Sequence, residues 1–142
     1  MEKINVNFQL NGIELITFNL ATPETSLNQE STYNFDINIE HRINSEEKLV
    51  NVLTSIDVIH EESKQSQASI KTSCIFVIPN LHDFISGNSK QINLPDQFVV
   101  TLNSISLSTT RGIMFSQFKG TFLHHVILPI INPSSLVTTK AE

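Results

Sequence analysis

The feature that most constrains the fold is an unbroken alternation of apolar and polar residues over residues 33–40. Tyr33, Phe35 and Ile37 fall on one side of an extended chain, with Asn34 and Asp36 on the other. Successive side chains of a strand point to opposite faces of its sheet. The segment therefore predicts a β-strand that is buried on one face.

Two later segments repeat this pattern. In residues 48–60, one face of the predicted strand carries Val50, Val52, Thr54, Ile56 and Val58. The other face is not purely polar, because it carries Leu49, Leu53 and Ile59. Residues 68–78 place Ala68, Ile70, Cys74, Phe76 and Ile78 on one side. The polar cluster Glu61–Gln65 between them predicts a hairpin turn. Together the three segments predict an antiparallel meander.

The first apolar segment has two interpretations. Its apolar positions change phase after Asn11-Gly12 and continue at Ile13. Asn-Gly between alternating segments is a strong hairpin signal, but a bulge in one long strand would also shift the phase. Residues 4–20 are therefore either a hairpin or one bulged strand.

A long helix is predicted over residues 95–119, after a polar loop over residues 80–97. Pro95 suits a first helical position, and Lys119-Gly120 supplies a stop. Phe98, Leu102, Ile105, Met114 and Phe118 form the apolar side. The middle, Ser104–Gly112, is poor in helix formers, so packing must hold it. We interpret its small residues as a tight interior contact or a dimer face, in preference to a catalytic serine cluster.

The C-terminal segment contains the apolar run Val126–Pro133, whose two prolines forbid a helix interior or a central strand. It is expected to lie extended on the surface or at a sheet edge. Pro133 could open one short helical turn through Leu136.

The composition favours one α+β domain over residues 1–142 and disfavours several functions. A net charge of −5 with nine Lys and Arg argues against nucleic-acid binding. The N-terminus lacks the order of a secretory signal, and no apolar run approaches a membrane span, so we expect a cytoplasmic protein without membrane insertion. Cys74 is alone and is expected to be a small buried hydrophobe.

Metal binding and catalysis have little support in the sequence. His124 and His125 are adjacent, and in an extended segment they would point to opposite sides, while His41 and His60 are isolated. No nucleophile motif or glycine-rich phosphate loop is present. We expect no metal, no cofactor and no enzymatic activity.

Four carboxylates could form a negative stripe on the outer sheet face: Asp36, Glu40, Asp57 and Glu61. Such a stripe is most simply solvated surface, and otherwise a docking face for a basic partner.

The order of elements, together with two C-terminal segments, resembles the SecB export chaperone family over about residues 8–137. The segments are Lys119-Gly120-Thr121-Phe122 and Leu128–Leu136. They are similar to the family's Arg-Gly-Thr-Phe and the leucine- and proline-containing stretch that follows it, although Arg111-Gly112 offers a second register. The resemblance implies a four-stranded antiparallel sheet packed on one long helix, with a short C-terminal helical turn.

The resemblance also implies a function. SecB-like chaperones are dimers of dimers that hold unfolded polypeptides without ATP, in export with the SecA motor or in protecting an antitoxin. Candidate residues for an apolar client-binding groove are Phe98, Phe115, Phe118, Phe122, Val126, Ile127 and Ile130. The modest negative charge and the short C-terminus leave the client open.

Two alternatives come from other classes. One is a carrier of small hydrophobic ligands in a cavity between sheet and helix. The other, a hydrolase using the Ser/Thr-rich helix and His124, lacks a nucleophile setting.

Overall fold

The computed structural model describes residues 7–22, 31–86, 91–132, 134 and 138–141. Four strands of twelve residues precede one long helix: β1 (Gln9–Leu20), β2 (Tyr33–Asn44), β3 (Leu49–His60), β4 (Ser66–Val77) and α1 (Asp96–Phe118). Between β4 and α1 lie a 3₁₀ turn (Leu81–Phe84) and the short pair β5 (Ile85–Ser86) and β6 (Gln91–Ile92), and β7 (Thr138–Ala141) is the last described element.

The main sheet has the strand order β1-β4-β3-β2-β7. The strands β1 to β4 pair antiparallel, whereas β7 runs parallel to β2. The meander β2-β3-β4 and the α+β class are confirmed. The fifth strand was not predicted, since four residues carry too short a pattern to reveal a strand.

The first segment is one strand with two bulges, so the hairpin interpretation is wrong. Leu10 pairs with Phe76 and Gly12 with Ile75, which leaves Asn11 as an extra residue. A second shift leaves Ile16 extra. The two bulges bring five apolar residues of β1 to the helix side of the sheet, where each lies opposite a buried residue of β4. These five residues of β1 are Leu10, Ile13, Leu15, Phe18 and Leu20.

The helix α1 lies over the central strands β3 and β4 and confirms the predicted helix to within one residue at each end. The carbonyl of Pro95 accepts the first backbone hydrogen bonds, from Phe98 and Val99. Beyond the helix, Gly120 takes a φ of 79°, the left-handed conformation that favours glycine after a helix end. Among the described residues, no helix is long and apolar enough to cross a membrane.

The small-residue middle of α1 divides between two surfaces. Ser106 and Thr110 are buried against the sheet, whereas Ser104, Ser108 and Gly112 are exposed. The expected tight interior contact is therefore present. A dimer face on the exposed residues stays a prediction.

The predicted loop over residues 80–97 contains the β5–β6 pair and the 3₁₀ turn, in which Leu81 is fully buried. These elements span too few residues to show a period. The segment 126–132 lies extended on the surface, as predicted. The predicted turn Pro133–Leu136 lies outside the described residues, apart from Ser134.

Candidate functional site

The extended segment 126–132, here called the tail, is fixed to α1 by one arginine. The Arg111 guanidinium donates from Nε to the Leu128 carbonyl at 2.9 Å and from Nη2 to the Pro129 carbonyl at 3.0 Å. Backbone carbonyls that lie outside a sheet or helix need a hydrogen-bond donor when they are shielded from water. The planar guanidinium suits two parallel bonds, so it defines the position of the tail.

The anchored tail directs two isoleucines outward. Val126 and Leu128 are buried against the core. Ile127 is 56% exposed and Ile130 is 94% exposed. The exposure of Ile127 follows from the alternation of an extended chain, because both of its neighbours are buried. Ile130 instead follows Pro129, whose carbonyl is bound by Arg111, and it lies outside this alternation.

A hydrogen-bonded turn connects α1 to the tail. The Thr121 hydroxyl donates to the Phe118 carbonyl at 2.7 Å and accepts from the Leu123 backbone at 3.1 Å. Residues 122–125 belong to this turn, so the expectation that His124 and His125 lie in an extended segment is wrong. Their rings are 5.3 Å apart. Within the described ranges, no group of three His, Cys, Asp or Glu side chains is placed to hold a metal.

A second apolar surface lies on β1, which α1 does not cover. Phe8 packs edge-on against Phe98 with ring centroids 5.1 Å apart, and Phe18 packs against Phe118 at 5.9 Å. Between these aromatic contacts, apolar side chains of β1 stay 36–49% exposed: Leu10, Ile13, Leu15 and Ile16. The edge strand therefore exposes an apolar stripe beside the helix.

The structure separates the seven predicted client-binding residues. Phe98, Phe118 and Val126 are buried, and Phe122 is half-buried. Phe115, Ile127 and Ile130 are exposed. Client binding by any of the seven stays a prediction, but only the exposed ones are accessible without opening the fold. Sequence reasoning missed the β1 residues, for which the phase change after Asn11 was the available signal.

Of the four carboxylates in the predicted acidic stripe, two lie side by side on the sheet and two are placed differently. Asp36 lies directly opposite Asp57 on neighbouring strands. Glu40 instead forms an ion pair with Arg42, at 3.5 Å, and Glu61 lies in the turn after β3. In the described parts of the chain, neither Asp36 nor Asp57 has an ion-pair partner.

The interface between α1 and the sheet contains buried polar contacts. His41 Nε2 lies 2.7 Å from Asn103 Oδ1, and because an amide oxygen only accepts, the imidazole donates. The Thr72 and Thr110 hydroxyls are 2.7 Å apart. Burial raises the pKa of the Cys74 thiol above its ordinary value. The two hydrogen bonds bind the helix to the sheet. Burial, and not these bonds, favours the protonated thiol, which argues against a nucleophile.

A cavity of about 500 Å³ opens at the β2–β3 turn and not between sheet and helix. It is lined by Arg42, Ile43, Asn44, Ser45, Glu46, Leu49, Asn51 and Ile75.

Comparison with known proteins identifies the fold. No family model and no curated protein matches the sequence. Among solved structures, the chain is similar to the SecB-like chaperone Rv1957 of Mycobacterium tuberculosis, in complex with a ChAD peptide from the antitoxin HigA1 (Rv1956). The TM-score is 0.64 over 87% of this chain and 89% of that one, at 12% identity.

The fold is SecB-like. The resemblance read from the sequence is thus confirmed for the architecture. A protein of unknown function from Streptococcus agalactiae is also similar, with a TM-score of 0.45, 12% identity and coverage of 89% of this chain and 100% of that one. Among the residues that the structure describes, the tail and the β1 stripe each expose apolar side chains.

Proposed function

We propose that this chain is an ATP-independent holdase chaperone that binds unfolded or non-native polypeptides through exposed apolar side chains. The observation that carries the proposal is the anchored tail, which holds Ile127 and Ile130 outward. The SecB-like fold supports it, because a structure of this fold holds an antitoxin peptide.

The energetics suit weak, sequence-tolerant binding. Covering apolar surface contributes roughly 25 cal/mol per Å², from which the ordering cost of the client is subtracted. Neither isoleucine belongs to the core, so a client can cover both without disturbing the fold. Each contact is weak, and we propose a dimer of dimers whose several surfaces engage one client.

The partner class follows from the same proposal. An antitoxin is one client, and a protein destined for export through the SecA motor is the other. The aspartates of the outer sheet face would suit a basic docking partner. We propose that the chain acts without catalysis, metal or nucleotide, in the cytoplasm, where the free thiol of Cys74 stays reduced.

A carrier of small hydrophobic ligands has less support. Side chains from both layers fill the space between α1 and the sheet, with Val52, Leu102 and Met114 fully buried. The cavity at the β2–β3 turn lies elsewhere and has Arg42, Asn44 and Glu46 in its wall.

The test compares two variants with the same chemical change. Ile127→Ser with Ile130→Ser alters the tail, and Ile13→Ser with Ile16→Ser alters the β1 stripe. We expect the parent to prevent aggregation of a reduced, unfolded client. The tail variant should need at least about fivefold more protein for the same effect, because it loses about 1 kcal/mol or more of apolar contact.

Circular dichroism and light scattering check that each variant keeps its fold and subunit number. A parent that never slows aggregation contradicts the chaperone proposal. If the tail variant holds the client as well as the parent does, while the β1 variant fails, the binding surface is β1 and not the tail.

A further inference from the structure

The edge of β2 already accepts an extended segment of this chain. β7 pairs with it in parallel, from Ile39 opposite Thr138 to Arg42 opposite Ala141. This pairing uses four of the twelve residues of β2. In the described residues, no strand lies beside Tyr33–Asn38 on this edge.

Burial along β2 changes where β7 begins and ends. The six side chains that face the helix side are Tyr33, Phe35, Ile37, Ile39, His41 and Ile43. Ile39 and His41, which lie inside the β7 register, are fully buried, whereas the other four are half-buried. A strand beside Tyr33–Asn38 would cover three further apolar side chains that already pack on the core.

The outer face of the same edge is negative. Asp36 lies opposite Asp57, and like charges directly opposite each other destabilise a strand pair. A cationic side chain in an added strand would lie beside Asp36 and relieve this repulsion. The edge therefore favours a segment that alternates apolar residues, facing the helix side, with Lys or Arg, facing outward.

We propose that the β2 edge at Tyr33–Asn38 is a strand-addition site for an extended polypeptide segment of alternating apolar and basic residues. This site rests on the proposed function, because unfolded clients would supply such segments. It would add backbone hydrogen bonds to the side-chain contacts of the holdase. Open strand edges recruit extended peptides in this way, with backbone bonds giving affinity and alternate side chains giving specificity.

A second copy of this chain is a poorer occupant. Pairing β2 with itself would place a strand carrying Asp36 and Glu40 beside an identical acidic strand. Like-charge contact then opposes the pairing.

The probe is a peptide of about ten residues that alternates valine and lysine, with both ends blocked, and its control has glutamate in place of lysine. Two further peptides carry backbone N-methyl groups, one on every valine and one on every lysine. Alternate residues of a strand direct their N–H groups to opposite edges. One methylated peptide should therefore lose about tenfold or more in affinity, and the other should bind like the parent peptide.

The matched protein variants are Asp36→Lys on β2 and Glu14→Lys on the outer face of β1, at the far edge of the sheet. Asp36→Lys should weaken binding of the lysine peptide about fivefold and favour the glutamate peptide, whereas Glu14→Lys should not change the preference. Hydrogen exchange should show new protection at alternate amides of Tyr33–Asn38 when the peptide binds.

Strand addition is wrong if both methylated peptides bind equally, or if no β2 amide gains protection while the full-length parent still suppresses aggregation. That result leaves the holdase proposal standing. Failure of the parent in the aggregation assay, together with protection of β2 by the lysine peptide, would instead support the strand site and contradict the holdase.

Discussion

Two threonines show how single residues join the layers of this protein. Thr110 donates its hydroxyl to the Ser106 carbonyl at 2.7 Å. Its oxygen is then free to accept, so the Thr72 hydroxyl donates to it at 2.7 Å. Both side chains are fully buried. The contact ties α1 to β4 in a region of the helix that has poor intrinsic propensity.

Thr110→Val should destabilise the protein by about 1–3 kcal/mol, because it leaves the buried Thr72 hydroxyl without its acceptor. The double variant Thr72→Val with Thr110→Val should lose less than the single variant, since both polar groups are removed. Urea denaturation measures the two values. A double variant less stable than the single one would contradict this account of the pair.

The Cys74 thiol should make stability depend on alkaline pH. Burial raises its folded-state pKa above the ordinary value of 9.0. The contribution of the protonated thiol to the free energy of unfolding is therefore fully present below about pH 9. It is lost as pH rises through the folded-state pKa, because the unfolded chain releases its proton at lower pH than the folded chain does. Burial also raises the pKa of Tyr33 from 10.0, which adds a loss at higher pH.

Denaturant unfolding at about pH 8 and pH 10 tests this dependence, with Cys74→Ala as the comparison. The parent should lose more stability than the alanine variant over this interval. Equal losses would mean that the thiol does not contribute.

At the scale of elements, two glycines have opposite roles at and near the helix end. Gly112 lies in the exposed part of α1 with open space around an added Cβ, whereas Gly120 has a φ of 79°. Gly112→Ala should stabilise the monomer fold by about 1 kcal/mol, and Gly120→Ala should destabilise it by about 1 kcal/mol.

Thermal and urea unfolding at one protein concentration measure whether each variant gains or loses stability. Destabilisation by Gly112→Ala that grows with protein concentration would instead indicate that this face of α1 is covered by another subunit.

The Arg111 anchor makes the tail a part of the folded element. Arg111→Lys keeps the charge but cannot reach both carbonyls with one planar group. We expect faster hydrogen exchange over residues 126–130 and a loss of about 1–2 kcal/mol in stability.

Lys119→Met is the control, because Lys119 is exposed, lies over the Phe115 ring at 5.9 Å and makes no contact with the tail carbonyls that Arg111 binds. It removes a charge near the helix end without touching the tail carbonyls. Unchanged exchange in the Arg111 variant, or equal changes in both, would show that the tail is held by its buried residues alone.

At the scale of the whole molecule, most of the exposed large apolar side chains among the described residues lie on β1 and on the tail. Contiguous apolar surface of this kind marks interaction sites. We expect the protein in solution to exceed the 15.9 kDa of one chain, with the subunit number measured by light scattering. A particle of one chain at micromolar concentration would contradict the oligomer.

Much of the fold followed from local pattern. The strands β2, β3 and β4 repeat a two-residue period over many residues, and the helix α1 repeats a helical period, so these local patterns located all four elements. The fate of the C-terminal run followed from its prolines, because Pro129 and Pro133 cannot enter a helix interior. The candidate site was less predictable, since Phe118 and Ile127 are equally apolar in sequence.

Tertiary structure decided what the local pattern left open. The pairing of β1 with β4 chose two bulges over a hairpin, because this register brings the partnered apolar residues of β1, from Leu10 to Leu20, opposite buried residues of β4. The position of α1 over β3 and β4 buried Phe118 and Phe98, and the anchor at Arg111 turned Ile127 and Ile130 outward. The sequence determined which residues are apolar and at what period they recur, whereas exposure depends on which other element covers them, and that is fixed by contacts between residues far apart in the chain.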